Sequence, residues 1–146
     1  MKKKVESYIS DALKSVREKL ASPDAQGNKT VIYEEYDGYA ASFGASVITA
    51  GLLPTVSFYT NVHKKEKDET KEAKKPRRYK MLLALAFMLK NNGHPDINLD
   101  SLTALLDYVN TDKNKKNKAL KADILAASIA LKLALRNFEH TKSSGS

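Results

Sequence analysis

The turn Gly51-Leu52-Leu53-Pro54 constrains this chain more than any other feature, because it stands between two apolar segments that read as helices. On its N-terminal side Tyr39, Ala40, Phe43, Val47 and Ile48 recur at helical spacing. On its C-terminal side Val56, Phe58, Tyr59 and Val62 continue the apolar pattern. Glycine commonly ends a helix in a left-handed residue, and proline is tolerated in the first turn of the next. The spacing therefore predicts two helices meeting at a corner, in preference to one helix kinked at Pro54. The corner carries no chemistry itself.

The remaining segments are also helical in pattern. From Lys2 to Leu20, Val5, Tyr8, Ile9, Ala12, Leu13, Val16 and Leu20 form one apolar face. Thr30 is a candidate N-cap for the next helix, with Glu34 and Glu35 near its positive end and Tyr33, Tyr36 and Tyr39 spaced by three. Those tyrosines read as a partly buried helix face with hydroxyls at its margin, in preference to a base-stacking platform. Small residues Ala40, Ala41, Gly44 and Ala45 allow another helix to approach closely. Residues 64–76, nearly free of apolar groups and stopped by Pro76, are either a solvated helix end or a mobile loop. Arg77 to Asn91 is so rich in leucine, methionine and phenylalanine that it is expected at the centre of the core. Asp100 or Asn98 caps a short helix carrying Leu102, Leu105, Leu106 and Val109, and a long final helix runs through Leu120, Ile124, Ala127, Leu131, Leu135 and Phe138. Thr30-Val31-Ile32-Tyr33 has strand character, but a lone strand lacks a partner. The expected fold is all-α, a compact bundle of roughly five to seven helices. Residues 1–142 are expected to form one helical domain, and 143–146 a flexible tail.

Charge is unevenly spread along a chain of net charge +8. Between Lys64 and Lys80 lie Lys64, Lys65, Lys67, Lys71, Lys74, Lys75, Arg77, Arg78 and Lys80, against Glu66, Asp68, Glu69 and Glu72. A second cluster, Lys113, Lys115, Lys116, Lys118 and Lys121, has only Asp112 beside it. Clustered cations attract polyanions by releasing their counterions. The bland alternative, a solvated face that keeps the protein soluble, is the commoner meaning of such runs. Neither basic run has large apolar residues on its opposite face, which disfavours a membrane-surface helix.

Several chemistries have no signal. The chain has no cysteine, so disulfides and thiolate metal sites are excluded. Its glycines are isolated, with no phosphate loop among them. His63, His94 and His140 lack metal-ligand spacing, and His63 and His94, at helix ends, read as exposed or capping residues. No serine sits in a nucleophile elbow, and a Ser–His pair would have to be assembled by folding. A basic N-terminus without an apolar core is no signal peptide, and Ile124 to Leu135 is too short to span a bilayer. A soluble, cytoplasmic protein with no cofactor, no metal and no catalytic residues is expected.

Together, Tyr39, the apolar helix to Ile48, the Gly51-Leu52 corner, and Val56-Ser57-Phe58-Tyr59 followed by lysines resemble the small α-helical subunit of type III-B (Cmr) CRISPR–Cas effector complexes. Length agrees, as does a last helix of small and aliphatic residues with Arg136 before Phe138. The resemblance implies a non-catalytic scaffold in antiviral defence. Copies of it stack into a minor filament beside the guide-binding backbone subunits and meet the large signalling subunit, along the groove where target RNA pairs with guide RNA. A subunit that serves any guide must avoid reading bases, so phosphate contacts are implied. The expected RNA-binding residues are Lys74, Lys75, Arg77, Arg78 and Lys80, then Lys113, Lys115, Lys116 and Lys118, with Lys132 and Arg136 on one outer face of the last helix. The acidic patch Glu34, Glu35 and Asp37 is a candidate for meeting a basic patch on the next copy, or simply favours its own helix N-terminus. Two other classes fit the residues less well: a stand-alone helical DNA-binding regulator using the Lys113–Lys121 helix start, and a helical protein-interaction module.

Overall fold

The computed structural model of the chain describes residues 2–23, 30–60, 77–138 and 140–141. Helix α1 (Lys2–Ser15) buries Val5, Tyr8 and Ala12 along one face and runs into a π-helical turn, Val16–Leu20. The wider turn, closed by the Ala21 N–H on the Val16 carbonyl at 2.9 Å, keeps both Val16 and Leu20 buried. Helices α2 (Glu35–Ala50) and α3 (Leu52–Thr60) follow, then α4 (Arg78–Lys90), α5 (Ala104–Val109) and α6 (Lys118–Leu135). The fold is mostly α, as the periodicity predicts.

Gly51 separates α2 from α3 at φ 99°, ψ 162°, a conformation that glycine alone adopts without strain. Its N–H donates to the Val47 carbonyl at 3.0 Å and its carbonyl accepts from Thr55 at 3.3 Å, so one residue closes one helix and starts the next. Pro54 lies in the first turn of α3, where a missing N–H leaves no bond unmade. The corner folds α2 and α3 against each other, and Phe43 and Tyr59 meet across it with ring centroids 5.2 Å apart.

Helix α4 is the central element. Met81, Leu82, Ala84, Leu85, Ala86, Met88 and Leu89 are all buried, and α4 packs on each of the other five helices. Helix α6 lies along α1 and α2 and buries Leu120, Ile124, Ala127, Leu131 and Leu135 within the same continuous core. Gly44 of α2 faces Ser128 and Leu125 of α6, but a Cβ there would make only ordinary contact at 3.8 Å or more. Ala41 and Ala45 are exposed, so only part of the small-residue stripe faces a helix.

Five local expectations are corrected. Thr30–Tyr33 is a strand (β2) with partners on both sides: β1 (Ser22–Pro23) runs antiparallel to it and β3 (His140–Thr141) parallel. Those partners are two-residue pieces without any readable period, and β3 comes from the far end of the chain. Thr30 consequently is no N-cap; Glu34 occupies that position without a side-chain bond. Tyr33 belongs to the strand, which leaves Tyr36 fully buried and Tyr39 half-buried on α2. The short helix begins only at Ala104, so Leu102 is exposed outside it, and Asn98 accepts from the Asp100 N–H in a local turn. Phe138 lies beyond α6, packed against the core and beneath the Arg17 guanidinium at 5.7 Å.

Candidate nucleic-acid interface

The first basic group divides. Lys74 and Lys75 lie outside the described residues, as do residues 61–76 generally. Arg77 is turned inward: its Nη1 lies 2.6 Å from Glu35 Oε1, and its guanidinium sits 4.3 Å above the Tyr33 ring. Glu35 Oε2 accepts from the Tyr39 hydroxyl at 3.0 Å. This cluster ties the start of α4 to the β2–α2 junction. Burial, reinforced by the bond to Glu35, pushes the Tyr39 phenol above its usual range. Glu35 is thereby withdrawn from the acidic patch, leaving Glu34 exposed and Asp37 partly buried. Arg78 stacks on Phe58 at 4.5 Å, and Lys80 is half-buried in the first turn of α4.

The second group converges. Lys115, Lys116, Lys118 and Lys121 line one open pocket of about 220 Å³ at the start of α6, together with Asn117 and Leu52. Leu52 is the second residue of the Gly51-Leu52 corner, so the corner that shapes the core also forms part of this pocket. The N-cap Asn117 fixes the local backbone, its Oδ1 accepting from the Leu120 N–H at 3.0 Å. Lys115 reaches Asp112 at 3.8 Å, but both are exposed, and such a pair neutralises little. Lys116, Lys118 and Lys121 have no acidic partner among the described residues. Lys113, also exposed, lines a separate hollow of about 360 Å³ with Asp96, Ile97, Asp107, Tyr108 and Asn114.

Lys132 and Arg136 sit at the other end of α6, where cations favour the helix C-terminus. Fourteen residues separate Lys118 from Lys132, about 21 Å along the axis, so these are distinct sites. Helix α6 packs on α1, α2 and α4 and buries Leu120, Ile124, Ala127, Leu131 and Leu135, so it is a core helix with only one outer face free. That geometry disfavours a recognition helix lying in a major groove.

One polar cluster was not foreseen. His94 is 15% exposed, not a solvated helix end: its Nε2 lies 2.8 Å from Asp123 Oδ2 and its Nδ1 2.8 Å from the Tyr108 hydroxyl. Lys4 Nζ reaches Asp123 Oδ1 at 2.8 Å. With Asp123 accepting at Nε2, the other nitrogen of a neutral ring accepts from Tyr108. Burial opposes the charge on Asp123, but hydrogen bonds from Lys4 and His94 outweigh it and hold the carboxyl below its usual range. The partners lie 14, 29 and 119 residues apart, too far for any spacing rule to link them. No described serine bonds a histidine; His140 instead uses Nε2 to donate to the Leu135 carbonyl at 2.7 Å. The His94 cluster joins α1, the loop after α4, α5 and α6, and holds no nucleophile.

The chain is a small, mostly helical protein with lysines gathered at the start of α6, and no described helix is long and apolar enough to cross a membrane. A family model described as CRISPR-associated protein (Cas_Cmr5) matches residues 5–134, and the chain belongs to that family, the small subunit of the Cmr (type III-B) complex. No curated protein and no solved structure matches the chain significantly. Members are generally non-catalytic structural subunits, and membership implies association with a Cmr effector complex.

Proposed function

We propose that this chain is a non-catalytic scaffold of the Cmr effector complex that lines the guide–target RNA groove with the lysines at the start of α6. In this reading copies stack into a minor filament, beside the guide-binding backbone subunits and against the large signalling subunit, in antiviral defence. The observation that carries it is the convergence of Lys115, Lys116, Lys118 and Lys121 on one open pocket, against a single exposed acid. Flexible ammonium groups on a fixed helix start suit phosphates of any sequence, because they follow charge and not base identity. Lys113, in its separate hollow, is a further candidate contact. Arg77 is reassigned to the scaffold by its bond to Glu35, while Lys132 and Arg136 fit a separate contact with RNA or with a neighbouring subunit's acids.

The test is target capture by the assembled complex. Lys116→Glu combined with Lys118→Glu replaces two exposed cations and touches no core residue. The complex carrying it is expected to assemble and to capture target RNA more weakly. Assembly with unchanged capture would remove this cluster from the RNA groove.

A further inference from the structure

Phe58 is 59% exposed although Val56 and Tyr59 beside it are buried. Among the large exposed apolar side chains of the described residues (Ile48, Leu102, Ile129 and Leu133 are the others) it is the aromatic one. Its ring is not loose. The Arg78 guanidinium lies 4.5 Å from the centroid, and the Tyr59 ring meets it edge-on at 5.8 Å. Arg78 Nε is buried without a hydrogen-bond partner among the described residues, and the guanidinium stacks on Phe58. Lys80, half-buried, lies two residues on from Arg78 in the first turn of α4, while Arg77 before it is paired with Glu35.

We propose that Phe58 and Arg78 form a stacking shelf for one unpaired base of single-stranded RNA, a sequence-tolerant contact separate from the phosphate contacts of the lysine pocket. The proposal rests on the RNA-facing reading above and adds a second kind of recognition to it. An exposed aromatic ring backed by a guanidinium offers a flat, polarised surface, and every base has a face that fits one. Both sites are carried by α3: Leu52 lines the lysine pocket and Phe58 lies six residues on, about 9 Å along the helix axis. Six residues also turn about 240° around the axis, so a strand touching both sites has to pass round α3 as well as along it. Exposed aromatics with arginine also occur at protein interfaces. The basic setting favours an anionic partner here, and a protein partner is one outcome of the test.

The chain has no tryptophan, so Phe58→Trp installs a single tryptophan at the shelf, excited at about 295 nm apart from the seven tyrosines. The full chain is titrated with an oligouridylate and with an abasic sugar–phosphate oligomer of equal length. Expected is quenching by the base-bearing oligomer and little by the abasic one. Phe58→Leu should weaken the oligouridylate about 5- to 150-fold, the range set by loss of one stacked base, and leave abasic binding unchanged. Because the side chain is exposed, neither substitution threatens the core, and circular dichroism checks this directly. Equal quenching by both oligomers, no quenching despite binding, or equal loss of both affinities in Phe58→Leu would overturn the shelf alone. A wild-type chain that binds neither oligomer would overturn the RNA-facing reading as well. Quenching seen only on addition of other complex subunits would assign Phe58 to a protein interface instead.

Discussion

Replacing Arg77 with alanine distinguishes a structural arginine from an RNA-contacting one. Arg77 and Glu35 are 2.6 Å apart with side chains 18% and 22% exposed, so the pair is largely removed from water. Deleting one partner of a fully buried pair costs about 3–5 kcal/mol, whereas an exposed pair is worth about 0–1. At this degree of burial the loss should be about 2–3 kcal/mol, because Glu35 is left with the Tyr39 hydroxyl as its one described side-chain partner. Losing the stack on Tyr33 adds about 0.5–1 kcal/mol. A total near 3 kcal/mol corresponds to a fall in Tm of about 6–12 °C for a chain of this length. Differential scanning fluorimetry reads the shift, and Glu35→Ala in a double-mutant cycle isolates the pair. Arg77→Lys should recover only part of the loss, since lysine cannot keep both the bond and the flat stack. A variant with unchanged Tm but weakened RNA binding would refute the clamp and return Arg77 to the RNA surface.

Other consequences are measurable in the same way. Gly51→Ala forces a side chain into φ 99° and should cost about 1–3 kcal/mol in urea unfolding, although the space beside it is open enough for a Cβ. Tyr8 is buried and its phenol is pushed up to about 12 by that burial, helped by Asp123 and Asp11. Its stabilising contribution is complete below pH 10 and is lost as pH rises toward 12, at about 1.4 kcal/mol per pH unit; Tyr8→Phe should make the fall of the urea midpoint shallower between pH 10 and 12, with Tyr36, Tyr39 and Tyr108, also raised, supplying the remainder. The lowered Asp123 carboxyl works in the opposite direction. Its contribution is present above the usual aspartate value of 3.8 and is lost as pH falls through the native value, so Asp123→Asn should destabilise by about 2 kcal/mol at neutral pH and by less in acid.

The helices were legible because burial imposes a period that the residues must obey. Val5, Tyr8 and Ala12 on α1 with Val16 in the π-helical turn after it, and Tyr36, Ala40, Phe43 and Val47 on α2, repeat at helical spacing and all are buried. Gly51 was legible for a different reason: few residues can occupy its backbone conformation. The small sheet was not, because β1 and β3 are two residues each and pair through backbone groups that every residue carries. Basic residues showed where charge is plentiful but not which way it points. Arg77 and Lys116 look alike in the sequence, and only the fold sets Glu35 against one and leaves the other at an open pocket. His94 was misjudged because Asp123 and Tyr108 reach it through tertiary packing.

The salt dependence of single-stranded RNA binding by the isolated chain, compared with that of Lys116→Gln combined with Lys118→Gln, tests the lysine pocket most directly. About four phosphate contacts give a log–log slope near −3, and removing two should bring it to about −1.5, with weaker affinity at every salt concentration and no change in Tm. A slope that stays near −3 in the double variant, or binding by the wild-type chain that is indifferent to salt, would contradict the assignment of these lysines to RNA.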